Sequence, residues 1–153
     1  NDMTFHVVGG LKEDIDYWIN YTKELKVSNI YFYGFVSPKK ITVYKNSFDI
    51  VLAPYANKVS VFGNKGDSSK FMSPLKIFEY MSSKKAIIAS DLPVLKEILS
   101  NENSILVEPE NIRDWINAIN KLRKQEDREY IAKNALKDFK NYTWKNRALQ
   151  VVK

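Results

Sequence analysis

The sequence predicts an α/β fold in which a parallel β-sheet of about five strands carries helices on both faces. Runs rich in β-branched and aromatic residues alternate along the chain with segments of helical periodicity, and no Asn-Gly pair signals a hairpin. The run Ala86–Ser90 (AIIAS) is almost continuously apolar, as expected for a strand that is covered on both faces of a parallel sheet. Together these patterns indicate the Rossmann-like class.

The composition predicts a single domain that spans residues 1–153. Hydrophobic residues make up 44% and aromatic residues 13% of the chain, which is enough for a sizeable core. The chain has no cysteine, which excludes disulfides and thiolate metal sites and fits a reducing, cytoplasmic compartment. No run approaches the ~18 apolar residues that a membrane-spanning helix requires.

The strands are recognised as short β-rich runs that end at glycine, at proline or at a polar residue. In chain order they are Thr4–Val8, Ile30–Tyr33, Phe48–Ala53, Ala86–Ser90 and Ile105–Val107.

The helices are recognised by apolar residues three and four positions apart and by capping residues or proline at their starts. The first has its apolar positions between Ile15 and Leu25. The others begin at Ser37-Pro38, at Ser73-Pro74 (to about Ser83), at Pro93 (to Leu99), at Asn111 and at about Asp127 (to Tyr142).

Four loops follow the carboxyl ends of predicted strands: Gly9-Gly10, Gly34–Ser37, Pro54–Ser73 and Ser90–Pro93. Ligands of doubly wound sheets bind at this edge, where helix N-termini turn free amides outward. The third loop is long and aperiodic, and loops of that length are usually functional or disordered. We therefore expect the ligand site at this edge, with the longest loop leading into the helix SPLKIFEYM.

Few residues are available for covalent or metal chemistry. His6 is the only histidine and lies within a strand, so we expect a role in the sheet. Asp14 and Asp16 match a metal-binding Asp-x-Asp pattern, but acids at a helix start also favour the helix dipole. We expect no metal site. The chain lacks both a phosphate-binding P-loop and a Gly-x-Gly-x-x-Gly fingerprint.

Helical periodicity leaves two interpretations of Glu79. It places Glu79 beside Lys76 at the border of the buried face, where the two form a solvated i, i+3 pair. Alternatively, a helix that starts at the ligand edge presents Lys76 to phosphates and Glu79 to sugar hydroxyls.

The net charge of +6 and the pI near 9.3 favour an anionic partner. The basic residues concentrate in Lys121–Lys124 and Lys133–Arg147. These stretches are either solvated helix faces or a surface for peripheral association with a bacterial membrane. No motif supports binding of nucleic acid.

The stretch SPLKIFEYMSSKKAIIASDLPVLKEIL resembles the signature region in the C-terminal domain of retaining GT-B glycosyltransferases, family 4, often called glycosyl transferases group 1. FHVVGG, IYFYGFVSPKKITVYKNSFDIVLAPY, ILVEPENIRDWINAINKL and YTWKNRALQVV resemble the flanking segments of that domain in the same order. The resemblance implies the C-terminal half of a GT-B fold, which binds a nucleotide-sugar donor such as a UDP- or GDP-sugar and needs no metal or other cofactor.

The resemblance also implies roles for individual residues. Glu79 matches the second glutamate of the family's Glu-x7-Glu motif, which holds the donor ribose. Ser73, Pro74, Leu75 and Lys76 would approach the donor phosphates or sugar. Gly9 and Gly10 would border the phosphate path, and Gly34, Phe35, Val36 and Ser37 would line the nucleobase.

Two features depart from the family pattern. Phe71 stands where the first glutamate, which contacts the donor sugar, is expected. The family's domain also begins with a strand ahead of the one that matches FHVVGG, and an acceptor domain precedes it. We therefore expect a fragment without that first strand and without the N-terminal acceptor domain, inactive on its own. The parent is expected to make a bacterial surface polysaccharide or glycolipid; the alternative is a non-catalytic module that binds a nucleotide or a partner.

Overall fold

The computed structural model describes residues 2–57 and 75–151. Its five strands are β1 (Phe5–Val7), β2 (Ile30–Phe32), β3 (Ile50–Ala53), β4 (Ala86–Ser90) and β5 (Ile105–Val107).

The helices of the described residues fall between these strands and after the last one. They are α1 (Lys12–Glu24), α2 (Pro38–Ser47), α3 (Leu75–Ser82), α4 (Pro93–Lys96), α5 (Ile112–Lys121), α6 (Gln125–Phe139) and α7 (Trp144–Val151), with a 3-10 turn at Lys140–Tyr142. Each of these helices is too short or too polar to cross a membrane.

All strand pairing in the described ladders is parallel, which confirms the predicted α/β fold class. β1 pairs with β2 from Phe5 opposite Ile30 to Val7 opposite Phe32. β4 lies between β3 and β5 in a second ladder. The five expected strands are therefore present, but among the described residues they hydrogen-bond as a group of two and a group of three.

The chain divides into two compact units, Asn1–Ser47 and Phe48–Lys153. In the first, the described residues 2–47 include no fully buried side chain. His6 of β1 lies in the sheet, as expected: its ring stacks on Tyr31 and Tyr33. Its Nδ1 lies 2.9 Å from the hydroxyl of Tyr33 and its Nε2 lies 2.9 Å from that of Thr4.

The second unit is organised around β4, in which all five residues are buried. Ile87 and Ala89 belong to one hydrophobic cluster, and Ala86 and Ile88 belong to another. This alternation follows from the two-residue period of a strand with apolar residues on both faces. Helix α6 contributes Ala135 to the first cluster and Ile131 to the second, so it takes part in both layers that cover β4.

A buried polar residue fixes the loop that precedes β5. The side-chain amide of Asn103 donates to the carboxylate of Asp138 on α6 at 2.8 Å, and its oxygen accepts from the amide of Ser100 at 2.8 Å. Because a buried amide is costly unless it is hydrogen-bonded, these contacts hold the loop in one position against α6.

The helices differ from the predictions in several places. Helix α6 runs from Gln125 to Phe139, where a helix from about Asp127 to Tyr142 was predicted. Helix α4 ends at Lys96 and not at Leu99, because the amides of Ile98 and Leu99 both turn back to the carbonyl of Leu95. Helix α7 was not predicted from periodicity. The hydroxyl of Thr143, which accepts from the amide of Asn146 at 3.4 Å, is the capping signal that marks its start.

The ionisation of Tyr80 gives a test of the packing in the second unit. Burial raises the pKa of Tyr80 to about 12 from 10.0, with smaller contributions from the charges of Tyr55 and Glu79. A raised pKa in the folded state means that folding favours the neutral phenol. The contribution of this phenol to the free energy of unfolding is therefore fully present below pH 10 and is lost as the pH rises towards 12. Between pH 10 and pH 12 we expect the free energy of unfolding of the wild type to fall by about 2 kcal/mol more than that of Tyr80→Phe.

Urea denaturation at a series of pH values measures this difference. Tyr130→Phe is the matched control, since Tyr130 is exposed, and it should keep the wild-type slope. Identical slopes in wild type and Tyr80→Phe would contradict the prediction.

Candidate functional site

Glycines bring together the loops that follow β1 and β2. The amide of Gly9 donates to the carbonyl of Gly34 at 2.8 Å. Gly9, Gly10 and Gly34 have φ of 113°, 96° and 68°, in the region that favours glycine. A β-carbon at Gly10 would also lie 3.3 Å from Cγ1 of Ile15. The two glycine loops predicted to line a nucleotide therefore meet at one edge of the first unit.

The residues after Gly34 run from this edge into α2. Phe35 is 84% exposed, Val36 is half-buried and Ser37 is exposed. The carbonyl of Ser37 accepts from the amides of Lys40 and Ile41, which anchors the start of the helix. An exposed aromatic ring beside a glycine turn offers an apolar surface on which a planar ring can stack.

A cation and an aromatic ring meet at the start of α3. Nζ of Lys76 lies 5.9 Å from the ring centroid of Tyr55, the second residue after β3. This distance is within the range of a cation–π contact. Burial raises the pKa of the Tyr55 phenol. The contact holds a positive charge at the carboxyl edge of the second unit, where an anionic ligand of a parallel sheet would bind.

Hydrogen bonds tie together the carboxyl ends of the three strands of this unit. The hydroxyl of Ser90, at the end of β4, donates to the carbonyl of Tyr55 at 2.6 Å. The amide of Asp91 donates to the carbonyl of Val107, at the end of β5, at 2.7 Å. Lys96 forms an ion pair of 2.6 Å with Asp91. The edge is thus a connected polar layer built on buried strands.

Glu79 lies one turn into α3 and is exposed, while its neighbours Ile77 and Met81 are fully buried. The carboxylate therefore projects from the polar side of a helix whose other side packs in the core. Glu79 belongs to the same unit as Lys76, three residues earlier on the same helix. This geometry suits hydrogen bonding to hydroxyl groups.

Leu75 differs from the sequence-based expectation. Periodicity groups it with the buried side of α3, but its side chain is 63% exposed. It is the first residue of α3, whose buried residues are Ile77 and Met81. The predicted site residues Ser73, Pro74 and Phe71 lie outside the described residues.

The described residues contain no group of three or more histidine, cysteine or acidic side chains placed to hold a metal ion. Asp16, half of the Asp-x-Asp pattern, accepts from Nζ of Lys12 at 2.6 Å in an exposed i, i+4 pair. This contact is the ordinary behaviour of charges in the first turns of a helix.

The sequence pattern did not single out Tyr55, Ser90 or Asp91 within the predicted loops. Each is a polar side chain within two residues of the end of an apolar strand. A polar residue directly after an apolar strand is the sequence signal that could have identified them, because the carboxyl ends of the strands in a parallel sheet share one edge.

Solved structures similar to this chain include glycosyltransferases. The C-terminal domain of LpcC from Francisella tularensis, a glycosyl transferase group 1 family protein, is 26% identical; the match covers 92% of this chain and 69% of that domain, with a TM-score of 0.70. Alr3699/HepE from Anabaena in complex with UDP is 19% identical, with 98% and 40% covered and a TM-score of 0.74. The same protein has been solved with UDP-glucose.

This chain therefore spans about two fifths of the HepE structure that it matches. No curated protein sequence matches the chain. The family model for glycosyl transferases group 1 matches residues 1–125, more than half of the sequence, and the chain belongs to this family.

Proposed function

We propose that this chain is the donor-binding domain of a retaining glycosyltransferase, and that its ligand is a UDP- or GDP-sugar. Membership of the glycosyl transferases group 1 family over residues 1–125 carries the proposal. Support comes from the similar fold of HepE, whose structures contain UDP and UDP-glucose. Within the second unit, the cation of Lys76 and the polar strand ends supply suitable groups for such a ligand.

In this proposal Glu79 accepts hydrogen bonds from the donor ribose. Its carboxylate is exposed on a helix whose opposite side is anchored in the core, so a bound hydroxyl meets a fixed partner. Lys76, held near the ring of Tyr55, supplies positive charge for the diphosphate, and the backbone amide of Leu75 at the start of the helix donates to it. Hydrogen bonds between a charged group and a hydroxyl are stronger than those between neutral groups.

The glycine loops take the other parts of the donor. Gly9 and Gly10 border the phosphates, because residues without a side chain let a ligand approach the backbone. Gly34 to Ser37 receive the nucleobase, and the exposed ring of Phe35 is placed to stack on it. Phe71 takes the place of the family's sugar-binding glutamate, so the donor sugar is held by other groups.

A titration with UDP, GDP and ADP, followed by amide chemical shifts, tests donor binding. We expect saturable binding of UDP or GDP and about tenfold weaker binding in Glu79→Gln, because the variant loses a charge-assisted hydrogen bond. Glu97→Gln, which removes an exposed carboxylate from the end of α4, is the matched control and should bind as the wild type does.

Equal nucleotide affinity in wild type and Glu79→Gln would show that Glu79 does not bind the donor ribose. The same titration is then made on a longer polypeptide that includes an acceptor domain. If this polypeptide also binds none of these nucleotides, the chain is a non-catalytic Rossmann-like module that binds another partner. That outcome would overturn the donor-binding proposal as a whole.

We further propose that the 153 residues alone transfer no sugar, since the family resemblance assigns the acceptor site to a separate N-terminal domain. Incubation with a UDP-sugar and a lipid-linked acceptor should give product only with the extended polypeptide. NMR of that product should show the same anomeric configuration as the donor. Turnover by the 153 residues, or an inverted product, would refute the corresponding part of the proposal.

The products we propose are bacterial surface polysaccharides or glycolipids, made at the cytoplasmic face of the membrane. The absence of cysteine fits a reducing compartment. Peripheral membrane association is supported by the basic stretch Lys133–Arg147 and by Trp144, which is 84% exposed on α7. Tryptophan and basic side chains favour anionic membrane interfaces.

Sedimentation with lipid vesicles tests this association. The chain should bind vesicles that contain an anionic lipid in preference to neutral ones, because the basic stretch attracts anionic headgroups. Trp144→Ala should weaken that binding. Trp18→Ala removes an exposed tryptophan from α1 and should leave it unchanged. Equal binding to both kinds of vesicle, or equal effects of the two variants, would contradict the proposal.

A further inference from the structure

The lysine side chains at the carboxyl edge of the second unit are of two kinds. The ammonium of Lys76 lies over the ring of Tyr55 and, among the described residues, forms no ion pair. The ammonium of Lys96 instead lies 2.6 Å from Oδ1 of Asp91, so that the two charges cancel. The edge therefore has one group with net positive charge and one neutral pair that can both donate and accept hydrogen bonds. A nucleotide sugar is divided in the same way, into an anionic diphosphate and a sugar that bears hydroxyl groups.

The Asp91–Lys96 pair keeps hydrogen-bonding capacity for a ligand. Oδ1 of Asp91 is buried, and the ammonium of Lys96 meets it as a charge, without the geometry of a hydrogen bond. Within the described part of the chain nothing donates to the second oxygen, Oδ2, and the Asp91 side chain is 35% exposed. The Lys96 side chain is 54% exposed, and an ammonium has three N–H donors. One acceptor and at least one donor thus remain available within a single ion pair.

The strand register places this pair beside the cation–π contact at the start of α3. β3 and β4 are paired up to Ala53 opposite Ala89, and two further residues bring Tyr55 opposite Asp91. The hydrogen bond from Ser90 to the carbonyl of Tyr55 shows that the two chain segments stay adjacent beyond the strands. Neighbouring strands lie about 5 Å apart, and side chains two positions apart share a face. Asp91 therefore continues the face of Ala89, whose hydrophobic cluster also contacts Tyr55.

The pair is poorly placed to stabilise the fold. Asp91 and Lys96 belong to one short segment, which runs from the end of β4 into α4, so their ion pair joins no two distant parts of the chain. An ion pair at the surface also contributes little to stability. The position of the pair at the ligand edge is therefore better explained by binding than by stability.

We propose that Asp91 and Lys96 form the subsite for the sugar of the donor. The carboxylate of Asp91 accepts a hydrogen bond from one hydroxyl, and the ammonium of Lys96 donates to the oxygen of an adjacent hydroxyl. This inference rests on the proposed function and concerns the part of the donor that the family resemblance leaves without a partner. Phe71 stands where the sugar-binding glutamate is expected, and its side chain has no oxygen to accept a hydrogen bond. Asp91 supplies a carboxylate in its place.

Comparing a nucleotide sugar with the free nucleotide isolates the contribution of the sugar. The 153 residues are titrated with UDP and GDP and with the glucose, galactose and mannose derivatives of each nucleotide, and amide chemical shifts are followed. The wild type should bind at least one of these nucleotide sugars about tenfold more tightly than the free nucleotide, because hydrogen bonds to charged groups are added. The amides of Asp91 and Lys96 should shift with that nucleotide sugar and not with the free nucleotide.

Two variants remove the two sides of the pair. Asp91→Asn and Lys96→Gln should each lower the affinity for that nucleotide sugar about tenfold, and the affinity for the free nucleotide by much less. Asp16→Asn is the matched control, because Asp16 also forms a 2.6 Å ion pair with a lysine, Lys12, on an exposed helix surface. This control should bind both ligands as the wild type does.

A nucleotide sugar that binds no more tightly than the free nucleotide, or that keeps its advantage in both variants, would overturn the inference and leave the donor-binding proposal standing. Equal losses for the free and the sugar-linked nucleotide would also overturn it, because the pair would then act on the nucleotide. If neither nucleotide binds at all, the proposed function fails and the inference fails with it. Should a variant not fold, the wild-type shifts decide: shifts at Asp91 and Lys96 that are the same with and without the sugar refute the inference.

Discussion

The complete burial of β4 is the constraint on which the second unit depends. A five-residue strand with no exposed side chain is stable only when both faces of its sheet are covered. Alternate residues therefore require two separate hydrophobic layers, and the structure provides them from helices on both sides. The helices that follow β4 in the sequence, above all α6, serve this requirement. Their amphipathic patterns reflect the need to cover one strand and not an independent tendency to associate.

The polar edge is a consequence of the same burial. Because β4 cannot move without breaking both layers, Ser90 and Asp91 at its end occupy fixed positions, and their hydrogen bonds fix the ends of β3 and β5. Tyr55 is held by its carbonyl at one of these points, and its ring lies beside Lys76. An edge fixed in this way would require little ordering of side chains to receive a ligand, which lowers the entropic cost of binding.

The fold was predictable where local pattern and tertiary environment agree. The bounds of β4 and β5 were predicted to the residue, because the apolar runs end at polar side chains that lie at the sheet edge. Helix α7 was missed, since its apolar residues follow no clear period and its cap is a single threonine. The division into two ladders was also not predictable, because periodicity identifies strands but not which strands pair. For the candidate site, the glycine loops and Lys76 were predicted from their positions in the sequence. Tyr55 was not, because its contact with Lys76 depends on the path of the chain after β3.

The position of α6 has a consequence for the order of events during synthesis. This helix supplies Ile131 to one cluster and Ala135 to the other, and both residues lie more than forty positions after the start of β4. Domains emerge from the ribosome amino end first and fold as units. The strands β3, β4 and β5 are therefore all outside the ribosome before either hydrophobic layer can close. During that interval the most apolar strand of the chain is exposed to water, and it is the segment on which a chaperone that recognises extended apolar peptides would act.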